Sequence, residues 1–337
     1  MDHKTFLTWL ADIDRLSDAQ KAEVLAALDG GGPAGAMSIM AIEQAVGEDR
    51  TCPHCGTAGA VANGHNKGLQ RYRCKGCKRT FNALSRTPLS KLAHRDRWLE
   101  FSQCMADGDT VAASAARCGI HPSTAFRWRH RFLAAVKSGA AKLKGIVEAD
   151  ETFVLLSKKG NHMSRDERRR AKEAAEAGSE PPERKDRLGR KPRKRGGKAA
   201  KPGISDEQVP VLVAADRSGA TLSVVLPEVT AAAVWSALKH RVAADSLLVT
   251  DAKNVYPPVA KILQMTHEAL NQSAGERVRG DLHINTVNNR HSRLKDFLRA
   301  RRGIATRHLG SYLKWFHLIG LHADPTPRYC LAAAMGA

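Results

Sequence analysis

The chain has 337 residues, room for two or three domains with at least one substantial core. Lys and Arg outnumber Asp and Glu 54 to 34, a net charge of +20, which implies a polyanionic partner, nucleic acid ahead of a membrane surface. No apolar run of about 18 residues exists to span a bilayer, and the acids of MDHKTFLTWLADIDRL do not fit a secretory leader, so no membrane contact and a cytoplasmic location are expected.

Residues 1–46 read as a helical N-terminal segment. In LSDAQKAEVLAAL, Ser17 and Gln20 stand at the spacing of a capping box ahead of an amphipathic run. Residues 47–86 carry CPHCG and CKGC, two CxxC pairs: Cys52, Cys55, Cys74 and Cys77. Two thiolates on each tight knuckle can close a tetrahedral zinc shell, and four protein ligands leave no open position, so the expected Zn2+ is structural. A thioredoxin-like redox pair is the rival, but it needs one CxxC beside a βαβ pattern, which is absent. LQRYRC and RTFNA alternate like strands of a small ribbon. Arg71 and Arg73, with Lys75, Lys78 and Arg79, make the ribbon a phosphate-binding surface. Cys104, Cys118 and Cys330 lack partners at ligand spacing and read as buried thiols.

Residues 87–140 hold DTVAASAARCGIHPSTAFRWRHRFLAAV, a helix, a turn at Gly119, and a second helix opening at Pro122. This is a helix–turn–helix pattern, whose second helix would present Ser123, Thr124, Arg127 and Arg129 to double-stranded DNA. Trp128 and Phe126 read as packing residues. An ordinary pair of packed helices has the same turn, and the basic charge and the preceding ribbon favour DNA binding.

Residues 141–320 change to an α/β pattern with a mixed sheet. GIVEADETFVLL is strand-like yet carries three acids, with Glu148, Asp150 and Thr152 on one face. Acids in a strand centre carry a desolvation cost that a cation offsets, and an exposed edge strand with a salt bridge is the alternative. QVPVLVAADRSG and ATLSVVLPEV form a strand pair, TAAAVWSALKHRV a helix, and DSLLVTD a strand ending at Asp251. In HINTVNNRHSRLK, a helix from about Thr286 sets Asn288, His291, Ser292 and Lys295 on a polar face opposite Val287 and Leu294. An acid within the first strand, an acid ending the fourth, and this polar helix face match a ribonuclease-H-like arrangement.

Within that domain, residues 157–206 form a basic insertion. From Lys158 to Lys201 it holds 17 Lys and Arg against 7 Asp and Glu. SRDERRRAKEAAEAG reads as a short helix and RKDRLGRKPRKRGGKAAK as a DNA-backbone arm, with Lys194 and Arg195 at its centre. HLGSYLKWFHLIGLHA is an apolar helix that packs on the sheet, and residues 321–337 read as a C-terminal tail.

VEADETF, VTDAKNVY and HINTVNNRHSRLK resemble the three catalytic blocks of bacterial insertion-sequence transposases of the DDE superfamily, in the branch with an N-terminal zinc ribbon. The resemblance covers about residues 48–320. It implies Asp150 and Asp251 as ligands of two catalytic Mg2+ ions, with Mn2+ as a substitute, Asn288 at the third ligand position, and Lys295 as the conjoined Lys on a phosphate. Glu148 stays a rival to Asp150 on the same strand face, although DET is the recurring core. The implied activity is binding of terminal inverted repeats followed by metal-dependent strand cleavage and strand transfer into target DNA. It also implies a dimer or larger synaptic complex and a place on the bacterial nucleoid. The alternatives are a non-catalytic DNA-binding regulator, an inactive transposase remnant, or a nuclease that cuts without joining.

Overall fold

In a computed structural model the protein is described over residues 2–13, 15–18, 20–21, 24, 32–47, 49–136, 142–160, 165–179, 190, 199–201, 203–301, 303–320 and 325–336. Its contacts divide it into one unit of residues 1–137 with 318–337 and a second of residues 138–317.

The first unit opens with helices α1 (His3–Ile13) and α2 (Gly32–Gln44). Between them the capping box forms, the Ser17 amide donating to Gln20 Oε1 at 3.0 Å and the Gln20 amide to Ser17 Oγ at 3.3 Å. The body of the helix predicted after it lies outside the described residues. Strands β1 (Val61–Asn66), β2 (Leu69–Arg73) and β3 (Thr80–Phe81) make an antiparallel sheet of three. Helices α3 (Trp98–Ala106), α4 (Val111–Arg117) and α5 (Pro122–Ala135) follow. Gly119 takes a φ of +57° in the α4–α5 turn, a left-handed conformation that glycine adopts without a Cβ penalty.

Trp98, Phe101, Trp128 and Phe132 fill the core of this unit, with edge-to-face rings 5.1 to 6.4 Å apart. The segment predicted as a tail contains helix α11 (Pro327–Met335), started by Thr326 and packed on α2, α3 and α5. Its Cys330, Leu331 and Ala334 are fully buried, so the last described segment completes the core of the unit that holds the first.

The second unit is built on a five-stranded mixed sheet in the order β6 (Thr221–Val225), β5 (Gln208–Asp216), β4 (Ile146–Leu155), β7 (Leu247–Asp251), β8 (Thr266–Leu270). β4 runs antiparallel to β5 and parallel to β7. Every residue of β5 is buried, as its near-continuous apolar run demands of an interior strand. Helices α7 (Ala231–Leu238) and α8 (Tyr256–Leu263) share a core with Val147, Ala149, Leu212, Ala214 and Leu248, which fixes one face of the sheet. Helix α9 (Asn285–Ala300) packs on β4 and β5 on the other face, the one to which Glu148 and Asp150 point. Phe297 of α9 then meets Trp315 of α10 (Leu309–Gly320) at 5.4 Å. In the basic insertion, α6 (Arg165–Glu176) is the short helix read from its sequence.

This is the predicted ribonuclease-H-like mixed sheet, with one strand more than the sequence suggested. β8 was not expected, nor was the hairpin of β9 (Val278–Arg279) and β10 (Leu282–His283). Among the described residues no helix is long and apolar enough to cross a membrane.

Candidate active site

The four ribbon thiols meet. Their sulfurs all lie within 4.8 Å of one another, with Cys52 to Cys77 at 3.7 Å and Cys55 to Cys74 at 3.5 Å. Zinc–sulfur bonds of about 2.3 Å in a tetrahedron require sulfurs about 3.8 Å apart, so the cluster fits zinc. Each knuckle is closed by its own backbone, the Cys52 amide donating to the Thr57 carbonyl and the Cys74 amide to that of Arg79. Hydrogen bonds from Thr57 pull the Cys55 thiol down to about 6, towards the thiolate that a metal needs. Arg73, Lys75, Lys78 and Arg79 are exposed around the ribbon, and Arg71 is half-buried with its Nε donating to Asn63 O at 3.0 Å.

On α5, Ser123 and Arg127 are exposed and Thr124 is half-buried. His121 caps the helix by accepting the Ser123 amide at 3.2 Å. Arg129 corrects the expectation of a DNA-facing side chain. It is 1 % exposed, and its guanidinium donates to Asp109 O at 2.8 Å and Ser114 Oγ at 3.1 Å, tying α5 to α4. Lys194 and Arg195 lie outside the described residues.

The carboxylates lie where the parallel pairing of two strands stops, Asp150 in the middle of β4 and Asp251 at the last residue of β7. The β4–β7 ladder ends with Ala149 opposite Thr250, so Asp150 and Asp251 are the next residues on neighbouring strands. Both converge on one cation: Lys253 Nζ is 3.0 Å from Asp150 Oδ1 and 3.0 Å from Asp251 Oδ2. Because β7 stops at Asp251, the edge of β4 is open beside residues 150 and 151. Lys253 lies across that edge and reaches Glu151 Oε2 at 2.8 Å on the opposite face. Glu151 is held in turn by the buried Tyr256 hydroxyl.

Burial raises the Asp150 carboxyl above its ordinary range against the pull of Lys253, and the Asp251 charge adds to the rise. Burial alone would lower the Lys253 ammonium, but Asp150 and Glu151 outweigh it and keep it charged. Asp251 Oδ1 is buried and has no hydrogen-bond partner among the described residues. Two converging carboxylates with an unused oxygen form an all-oxygen donor set suited to Mg2+, which keeps several waters and takes remaining ligands from phosphate.

Glu148, the rival for the first position, is engaged elsewhere. It is fully buried, pairs with Arg217 Nη2 at 3.0 Å and His283 Nδ1 at 3.3 Å, and accepts the Val287 amide at 2.9 Å. Its Oε2 therefore serves the start of α9, and its Oε1 faces Arg217.

Along α9, Asn288 and Lys295 are exposed one turn either side of His291, whose Nδ1 lies 3.9 Å from Asp150 Oδ2. Burial first, then the Lys295 charge, pushes His291 down to about 4, which leaves the ring neutral at pH 7. Among the described residues neither Asn288 nor Lys295 bonds directly to Asp150 or Asp251. Lys295 borders a cleft of about 460 Å³ lined by Phe153, Leu155, Ser157, Ile304 and Thr306.

Lys253, Glu151, Tyr256, Arg217 and the proximity of His291 to Asp150 were not anticipated from the sequence. The polar face at residues 288, 291, 292 and 295 carried the signal for His291. Nothing in the local pattern singled out Lys253.

Residues 177–317 match the model of the ISXO2-like transposase domain, and residues 93–144 that of the homeodomain-like domain. The first match includes Asp251, Asn288 and Lys295 and begins after Asp150. The chain is 28 % identical over 270 residues to an uncharacterized protein in transposable element ISH50 of Halobacterium salinarum, covering 79 % of this chain and 84 % of that protein. Two solved structures are remotely similar. The simian T-cell lymphotropic virus intasome in complex with PP2A regulatory subunit B56 gamma aligns at 12 % identity and a TM-score of 0.30, over 69 % of this chain and 73 % of the other. A pre-cleavage Mos1 transpososome aligns at 13 % and 0.23, over 69 % and 78 %. At those scores neither likeness carries an argument about fold or activity. The ISXO2-like domain match, the homeodomain-like match before it and the likeness to an insertion-element protein all make the chain similar to insertion-sequence transposases of the DDE superfamily.

Proposed function

We propose that the protein binds the terminal inverted repeats of its own element and catalyses metal-dependent strand cleavage and strand transfer. The observation that carries this reading is the convergence of Asp150 and Asp251, from adjacent parallel strands, on a single cation position. Divalent ions, Mg2+ by donor type, supply there the charge that stabilises the attacking and leaving oxygens of a phosphodiester.

The chain's own residues do the rest. Asp150 and Asp251 contribute the negative donors, and Asn288 offers a neutral side-chain oxygen from the facing helix. Lys295, two turns along that helix, holds a scissile or flanking phosphate. Glu148 keeps the start of α9 against β4 so that these side chains present one face. Zinc in the four-thiol cluster fixes the ribbon, whose Arg73 and Lys75 contact the backbone of DNA, while Ser123, Thr124 and Arg127 enter the major groove. Holding two element ends at once calls for at least two copies of the chain.

The test is cleavage and joining of the element's end fragments in Mg2+ by the wild type, Asp251→Ala and Asn288→Ala. Both variants are expected to bind the ends with unchanged affinity and to cut at least about a hundredfold more slowly. Wild-type cutting by Asp251→Ala would sink the enzyme reading. Binding without any cleavage by the wild type would leave a DNA-binding regulator, and cutting without joining a nuclease.

A further inference from the structure

Lys253 lies where the proposed metal site expects positive charge, and its position is built rather than incidental. Its ammonium touches three carboxylates, Asp150 and Asp251 at 3.0 Å each and Glu151 at 2.8 Å. Glu151 is fixed from behind by Tyr256, itself fully buried, so the ammonium has a rigid anchor on the α8 side of the sheet. The anchor is reached only because β7 ends one residue past its last pair with β4 and leaves that strand edge open.

Two carboxylates brought together on neighbouring strands repel one another and need a compensating charge before any ion arrives. We infer that Lys253 is the resident counter-ion of the Asp150–Asp251 pair and competes with divalent cations for it, so that ion binding and withdrawal of the ammonium are one coupled event. This rests on the reading of Asp150 and Asp251 as the metal ligands.

A monovalent ammonium and a divalent ion cannot share the same two oxygens in a half-buried site without strong like-charge repulsion. The withdrawal needs no large motion, because Glu151 is outside the ligand set and retains the ammonium at 2.8 Å once the two aspartates are taken. Lys253 then stands beside the ligands with donors free to meet a phosphate oxygen, as Lys does elsewhere as a point charge. The pair is thereby kept neutralised and folded before DNA and metal are loaded.

The full chain, with its ribbon zinc-loaded, is titrated with Mn2+ and free ion is read by electron paramagnetic resonance. Lys253→Met should bind Mn2+ at least about tenfold more tightly than the wild type, since the competitor is gone. That gain should vanish when Asp150→Asn and Asp251→Asn are added. Unchanged or weaker binding by Lys253→Met, beside a wild type that binds through the two aspartates, overturns the inference and leaves the metal reading standing. Binding by Lys253→Met alone supports the inference, and carboxylate-dependent binding by neither overturns both.

Should Lys253→Met not fold, acylation of the Lys253 amine in the wild type, read by mass spectrometry, decides the matter. Saturating Mn2+ should raise labelling at Lys253 several-fold, and labelling indifferent to Mn2+ overturns the inference.

Discussion

The Glu148 carboxylate accepts the backbone amide of Val287 at 2.9 Å, so the first strand of the sheet grips the first turn of the helix that carries Asn288. The contact spans 139 residues of sequence. It explains how an acid is tolerated at full burial inside a strand: its Oε2 takes that amide while the Arg217 guanidinium, 3.0 Å from its Oε1, supplies the opposite charge.

Glu148→Ala leaves the Arg217 guanidinium without its buried partner and the Val287 amide unsatisfied. Removing one partner of a buried pair costs about 3 to 5 kcal/mol, so urea unfolding should show a loss of that order. Glu148→Gln, which keeps an acceptor for Val287, should cost less. An Ala variant as stable as the wild type would deny Glu148 this structural part.

Asp150→Asn and Asp251→Asn are expected to abolish cleavage of end fragments while leaving their binding intact. Each substitution also removes a partly buried charge from a cluster in which Lys253 keeps its other carboxylate partners. Thermal unfolding without divalent ion should therefore change far less than activity does. Cleavage by Asp150→Asn within about tenfold of wild type would return the first ligand position to Glu148.

The ribbon prediction concerns metal content. One zinc per chain should be released on full denaturation, and Cys74→Ser should lose it together with most affinity for the element ends. Zinc content is measured with a chromogenic chelator. A metal-free protein with unaltered DNA affinity would make the cluster dispensable.

Arg127 and Arg129 should part company. Arg127→Ala should weaken DNA binding and lower the dependence of log affinity on log salt by about one phosphate contact, with folding unaffected. Arg129→Ala should cost about 1 to 3 kcal/mol of stability, because Asp109 O and Ser114 Oγ lose a charged donor. Fluorescence anisotropy across a salt series and chemical unfolding separate the two.

That contrast shows what the sequence could and could not reveal. Residues two apart on a helix point to nearly opposite sides, so Arg127 and Arg129 could not both face a groove, and the burial of Ala125 and Phe132, one turn either side, leaves the inward position to Arg129. Asp150 and Asp251 were legible because Asp is out of place within a strand and familiar at its end. The Cys spacing was legible because zinc dictates it. β8, reading THEAL, escaped notice because a short edge strand with polar residues has little apolar periodicity. Lys253 could not be seen at all: its meaning depends on β7 ending where it does, which is a fact of pairing. The start signals of α11, Thr326 followed by Pro327, stand in the sequence of the segment expected to be a tail.

A pH prediction follows from His317, which is 4 % exposed; burial first, then the charges of Arg290 and Arg241, pushes it down to about 4. The unfolded chain takes up a proton near pH 6.5 and the folded chain only near 4. Stability is therefore undiminished by this group above 6.5 and declines as pH falls from 6.5 to 4. The full effect is on the order of 3 kcal/mol. In urea unfolding between pH 7 and 4.5, His317→Gln should show a shallower decline than the wild type. Parallel curves would mean that His317 protonates in the folded protein as readily as in the unfolded one.

The placement of α11 among α2, α3 and α5 has a bearing on how the protein is made. The helix–turn–helix emerges from the ribosome early, yet its core lacks Cys330 and Leu331 until the sheet-bearing unit has been synthesised behind it. A chain interrupted anywhere within the sheet-bearing unit would expose the apolar flank of its own helix–turn–helix. Such fragments would carry an incompletely packed helix–turn–helix.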